Sequence, residues 1–127
     1  MTNPATPYIS SYADTAYLDY KYNLDLNITA IKAQHTLSGA YGSSGMYVSI
    51  GEAILASEQA FYADISGAVK YYQDSFDILI SEVYEIYNSY ADLFQTYASD
   101  LGSSSSNYNN LITQDLNNQK SYLLRNK

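Results

Sequence analysis

The chain has 127 residues, a net charge of −7 and a pI near 4.3, and it carries 16 tyrosines but neither tryptophan nor cysteine. This length fits one domain, the acidic balance disfavours a duplex-DNA binder because phosphate contacts need clustered Lys and Arg, and the lack of cysteine excludes disulfide and thiol chemistry. We expect no transmembrane segment and no signal peptide, since no apolar run approaches the roughly 20 residues that span a bilayer.

The N-terminal part is predicted to form an arm and then a first helix. Residues 1–9 are expected to be extended, because Pro4 and Pro7 disfavour helix around them. A helix is predicted over residues 10–40, with Asp14 in its first turn, where the helix dipole favours an acidic side chain. Its apolar positions recur at spacings of three and four, which indicates one buried face; they are Tyr17, Tyr20, Leu24, Ile28 and Ile31.

A glycine-rich turn is predicted over residues 41–50. Glycine permits positive φ and therefore sharp reversals, and we expect Gly42 or Gly45 to adopt it. Ser49 followed by Glu52 is a capping-box pattern, which predicts that the next helix begins there. The residues assigned to the turn and cap are Tyr41, Gly42, Ser44, Gly45, Ser49, Gly51 and Glu52.

A long second helix is predicted over residues 51–101, about 75 Å at about 1.5 Å per residue. Apolar side chains recur along it at steps of three and four, a pattern typical of a coiled coil or a bundle helix. We expect this seam to bury against the first helix and against neighbouring copies of the chain. The seam residues are Phe61, Ile65, Tyr72, Phe76, Leu79, Val83, Ile86, Tyr90, Leu93 and Tyr97.

A break is predicted over residues 102–110, where Ser and Asn compete with helix formation, followed by a short third helix over residues 111–125. The fold class is therefore all-α: an elongated helical hairpin or coiled coil with a long second helix and a short third one. The abundance of tyrosine suits a partly hydrated interface between subunits, since each ring carries a hydroxyl that needs a hydrogen-bond partner when it is buried. The alternative is that tyrosine only replaces leucine along the seam.

No catalytic constellation is recognisable in the sequence, and we expect neither enzymatic activity nor a cofactor or metal. His35 stands alone one step beyond the first helix stripe, which indicates a partly buried structural histidine. Acidic pairs such as Glu82 and Glu85 lie three residues apart on one helix face. General acid–base or metal chemistry would need partners on another element, so a solvated acidic face is the better interpretation.

One stretch resembles a known family. The string Ala33-x-x-x-Leu37-x-x-Ala40-Tyr41-Gly42-x-Ser44-Gly45-Met46, followed by Gly51-x-x-x-Leu55, is similar to the internal virion (ejection) proteins of short-tailed, T7-like bacteriophages. The likeness covers roughly residues 25–75. It implies a protein packaged inside the capsid, stacked on the portal, or ejected with the genome.

The sequence therefore leads to one functional expectation and one alternative. The expectation is a structural virion component in the capsid interior or the tail and portal region, which forms a ring or bundle of copies and contacts portal or tail proteins without specific nucleic-acid binding. The alternative is a secreted or host-directed helical-hairpin binding module similar to WXG adaptors. The chain departs from that pattern because its turn has Tyr41-Gly42 and no tryptophan.

Overall fold

Four α-helices make up the part of the chain that the structure describes. The computed structural model describes residues 6–73, 80–102 and 105–125. We number the helices α1 (Thr6–Leu37), α2 (Ser44–Gln73), α3 (Ile80–Ala98) and α4 (Ser105–Arg125). The predicted all-α class is confirmed. None of the described helices is long and apolar enough to cross a membrane.

The first helix begins earlier than predicted. It starts at Thr6 and ends at Leu37 instead of covering residues 10–40, so the predicted extended arm is wrong from Thr6 onward, and residues 1–5 lie outside the described part of the chain. Pro7 is compatible with this start because the first-turn amides have no partner within a helix, and proline lacks one. The side chain of Ile9 then becomes part of the core.

The α1–α2 turn is shorter and earlier than the predicted range of 41–50. The amide of Gly39 donates to the carbonyl of Thr36 and that of Ala40 to the carbonyl of His35, at 3.2 and 2.7 Å. With Gly39 at a φ of 77°, this is a Schellman ending of α1. Gly42 also has a positive φ, 81°, as expected, whereas Gly45 lies inside α2 with no positive φ.

The helix cap was assigned to the wrong serine. The amide of Met46 donates to the side-chain oxygen of Ser43 at 3.2 Å, which makes Ser43 the N-cap of α2. Ser49 and Glu52 lie in the helix interior, so their spacing is not a capping box. Gly51 is buried within α2, and a Cβ atom there would clash with the ring of Tyr108. This glycine allows α4 to approach α2 closely and makes no reversal.

The predicted single helix over 51–101 is wrong, because α2 and α3 lie antiparallel against each other. The rings of Tyr62 and Tyr87 are 5.2 Å apart, and those of Phe61 and Tyr90 are 4.8 Å apart. One continuous helix would separate Tyr62 from Tyr87 by about 37 Å. A stripe with steps of three and four suits two helices folded onto each other as well as one rod. Residues 74–79, with Phe76 and Leu79 of the predicted seam, lie outside the described residues.

The fourth helix begins within the predicted break. Gly102 has a positive φ of 61° and interrupts the chain as expected, but α4 already starts at Ser105 and includes the Ser- and Asn-rich residues up to Asn110. Tyr108 and Ile112 are buried in this helix. Burial of these side chains outweighs the weak helix propensity of their neighbours, which is how tertiary packing overrides local preference.

The four helices form an up-down-up-down bundle, in which each helix runs antiparallel to the next. Both α1 and α4 contact α2 and α3, and they lie on opposite sides of the α2–α3 pair. The core is contributed by all four helices; its largest wholly buried apolar or aromatic side chains are Ile9, Leu24, Met46, Ile54, Phe61, Tyr62, Ile65, Tyr87, Phe94, Leu101 and Ile112. One face of α1 therefore points away from the rest of the molecule.

Candidate functional site

The predicted seam is the internal core of one chain. Phe61, Ile65, Val83 and Tyr90 are buried in the bundle, and the partly buried side chains that pack against them include Tyr72, Ile86 and Tyr97. These side chains contact other helices of the same chain. They are not available to a second copy in this conformation.

The predicted seam departs from the core of α3 at one position, Leu93. Leu93 is 42% exposed, whereas Phe94 is wholly buried, as is Tyr87, which the prediction left out. The core stripe of α3 runs through Val83, Tyr87, Tyr90 and Phe94, with steps of four, three and four. This spacing is as regular as the predicted one, so periodicity alone offered two choices. The pairing with α2 selects between them.

Tyrosine hydroxyls bind aspartates between helices. Tyr97 donates to Asp25 at 2.8 Å, and Tyr90 donates to Asp14, so two contacts join α3 to α1. Tyr12 makes the same kind of contact with Asp64 of α2. Burial and the neighbouring carboxylate raise the pKa of Tyr90 and Tyr97. Tyr90 and Tyr97 thus take positions along the seam that leucine could occupy, and their hydroxyls are satisfied within the chain. For these two residues this agrees with the alternative that tyrosine replaces leucine in the core.

A buried carboxyl group that was not predicted from the sequence lies between α2 and α4. Glu58 is wholly buried; the hydroxyl of Tyr62 donates to its Oε2 at 2.8 Å, and its Oε1 has no partner among the described residues. Burial raises the pKa of Glu58 to about 9, and the Asp115 carboxyl of α4 acts in the same direction. A signal was available: Glu58 falls four residues after Ile54 and three before Phe61 on the core stripe.

Further polar side chains continue this buried cluster toward α3. Ser66 and Tyr87 share a hydrogen bond of 2.9 Å, and Gln119 of α4 donates to Ser66. Burial raises the pKa of Tyr87 to about 12. The hydrogen bonds of Ser66, Tyr87 and Gln119 link α2, α3 and α4. The described residues hold no group of three or more side chains that could bind a metal ion.

Surface clefts flank α1 but are open and shallow. One of about 370 Å³ lies beside the α1–α2 turn and is lined by Lys32, Tyr41, Met46 and Asp100, among others. Another, of about 380 Å³, lies between α1 and α2 and has Asp64 in its lining. Among the predicted turn residues, Tyr41 therefore lines a cleft, and it is 61% exposed.

The outer face of α1 is an exposed apolar row. We give this name to Leu18, Tyr22, Leu26, Ala30, Ala33 and Leu37, which follow each other at steps of four, four, four, three and four. Leu18 and Tyr22 are each 65% exposed, Leu26 is 51% exposed and Leu37 is 90% exposed. The row lies opposite the buried face that carries Leu24, so α1 has two apolar faces of which the bundle covers one.

The segment of α1 that carries this row also has no net charge. Residues 18–37 contain two aspartates, Asp19 and Asp25, and two lysines, Lys21 and Lys32, whose charges cancel. Lys21 pairs with Asp25 at 3.0 Å on the same helix. The whole net charge of −7 therefore comes from the rest of the chain. A neutral apolar row on an acidic molecule is a surface on which association meets little electrostatic resistance.

Comparison with known proteins identifies no relative. No family model matches the sequence, and no curated protein and no solved structure matches it.

Proposed function

We propose that this chain is a structural protein without enzymatic activity, and that several copies assemble through the outer face of α1. The observation that carries the proposal is the exposed, neutral apolar row from Leu18 to Leu37. Contiguous exposed apolar surface on a helix marks a protein–protein contact more often than chance exposure of single side chains. Such a row has a use in an assembly and adds nothing to a monomer.

We propose a bacteriophage virion as the setting, in the capsid interior or in the tail and portal region, with portal or tail proteins as neighbours. The support is the resemblance of the Ala33–Met46 string to internal virion proteins. Two of its residues have identifiable roles in the fold: Gly42 adopts positive φ, and its amide contacts the sulfur of the buried Met46 at 3.5 Å. The string thus encodes a tight reversal between two long helices.

The acidic remainder of the surface suits this setting. A net charge of −7 repels the DNA backbone, so a genome could move past many copies without adhering to them. The acidic surfaces of two copies also repel each other. This repulsion favours contacts between copies through the segment of α1 that has no net charge.

Light scattering after size-exclusion chromatography tests the assembly. The native chain should form an oligomer whose mass rises with concentration, and Leu26→Glu should shift it to a monomer, because a charge buried without a partner costs several kcal/mol. Gln34→Glu is the matched control, since it adds the same charge at an exposed position of α1 outside the row. A monomeric native chain over about a hundredfold concentration range would contradict the proposal and favour the binding-module alternative.

Gene neighbourhood and particle composition test the setting. We expect portal and tail genes beside the gene for this chain. We also expect to detect the chain by mass spectrometry of purified phage particles. A gene surrounded by secretion components, with the chain missing from particles, would contradict the virion location while leaving the self-association test unaffected.

A further inference from the structure

We infer that two copies pack their α1 helices antiparallel, with a twofold axis beside residues 27 and 28, so that Leu18 of one copy lies against Leu37 of the other. This inference rests on the proposed self-association and specifies its geometry. It makes a twofold dimer the building unit of any larger assembly, because an isologous contact uses the same surface on both copies and closes on itself.

The order of large and small side chains selects the antiparallel direction. The row reads large, large, large, small, small, large from Leu18 to Leu37. In the antiparallel register, Tyr22 of one copy faces Ala33 of the other, and Leu26 faces Thr29 and Ala30. The bulky Tyr22 and Leu26 thus meet smaller side chains, and the two leucines at the ends of the row meet each other. The two helix axes then stay evenly spaced along the contact, at the distance of about 8–10 Å that is typical of packed helices.

A parallel pairing fits the same row poorly. Each residue would face its own copy, so that Tyr22 would meet Tyr22 at one end and Ala33 would meet Ala33 at the other. The helices would be forced apart at the bulky end and leave a gap at the small end, which forfeits packing contacts. Antiparallel helices also align their dipoles favourably.

The exposure of the row leaves it free to make this contact. Both α1 and its outer face lie at the edge of the bundle, on the side away from α4, and the row runs for about 28 Å along the helix axis. No large side chain of the described bundle covers Leu18, Tyr22 or Leu26, which are each at least half exposed. A second copy can therefore approach without any rearrangement of the core.

Cysteine crosslinking tests the register, and the native chain contains no cysteine that would interfere. Thr29→Cys lies close to the twofold axis. The two thiols of a dimer should therefore be offset by only about 4–5 Å along the helix direction, and a short bismaleimide should join them. Leu18→Cys alone and Leu37→Cys alone should not crosslink, whereas the double variant Leu18→Cys/Leu37→Cys should. Asn117→Cys, exposed on α4, measures random collisions.

We expect the crosslinked fraction of Thr29→Cys and of the double variant to exceed that of Asn117→Cys severalfold. Efficient crosslinking of Leu18→Cys alone would show a parallel pair and overturn the inference, while the proposed self-association would stand. A native oligomer in which none of the α1 variants crosslinks above the control would also overturn it and place the contact elsewhere. A monomeric native chain would contradict both the inference and the proposed function. Circular dichroism of each variant confirms that these exposed substitutions leave the bundle folded.

Discussion

The buried carboxyl of Glu58 should make the bundle less stable as pH rises, and Glu58→Gln should remove this dependence. Its side chain is wholly buried, Oε2 accepts from Tyr62, and Oε1 has no hydrogen-bond partner among the described residues. Burial raises its pKa from 4.5 to about 9. The folded chain therefore keeps the proton over a range of pH in which the unfolded chain has lost it.

The sign follows from proton linkage. Between the two pKa values the folded state binds one proton more than the unfolded state, so stability is fully present below the unfolded value and is lost as pH rises toward the folded one. The slope approaches about 1.4 kcal/mol per pH unit, and the loss at pH 7 is on the order of 3 kcal/mol. A glutamine resembles the protonated carboxyl in shape and never ionises. We expect Glu58→Gln to be more stable than the native chain at neutral pH by a similar amount.

Urea unfolding followed by circular dichroism, at about pH 5 and about pH 8, measures this effect. The native chain should lose stability between the two conditions, while Glu58→Gln should lose much less. Glu52→Gln on the exposed side of the same helix makes the same change in formal charge and should follow the native chain. If native and Glu58→Gln curves run parallel across this range, the carboxyl ionises in the folded state without penalty and the reasoning is refuted.

Two further predictions test the packing with matched pairs of substitutions. Gly51→Ala should destabilise the bundle by about 1–3 kcal/mol because its Cβ would clash with the ring of Tyr108, whereas Gly67→Ala, with nothing near its Cβ in the same helix, should stabilise it by about 0.5–1 kcal/mol. Phe94→Ala should cost about 3–5 kcal/mol and Leu93→Ala less than about 1 kcal/mol, because only the first is buried. Thermal and urea unfolding of the four variants measures both pairs. Equal losses of stability in Phe94→Ala and Leu93→Ala would contradict the burial of Phe94 and the exposure of Leu93.

Local signals in the sequence were enough for the helical class and for the first reversal. Apolar steps of three and four along residues 10–40 and beyond predicted helices, and the structure consists of them. Gly42 or Gly45 was expected to adopt positive φ, and Gly42 does. Both features depend on a residue and its near neighbours, since helix periodicity and backbone sterics act over a few positions. Such short-range preferences can be read from a few consecutive residues of the sequence.

Tertiary structure decided which faces meet and what they bury. Periodicity could not tell one long helix from the antiparallel pair α2 and α3, and it allowed Leu93 where Phe94 is buried. The burial of Glu58 depends on α4, whose Asp115 lies more than 50 residues away in sequence. The second apolar face of α1 is exposed only because α4 packs on the opposite side of the bundle. Desolvation and exposure are set by distant segments, so no local pattern determines them.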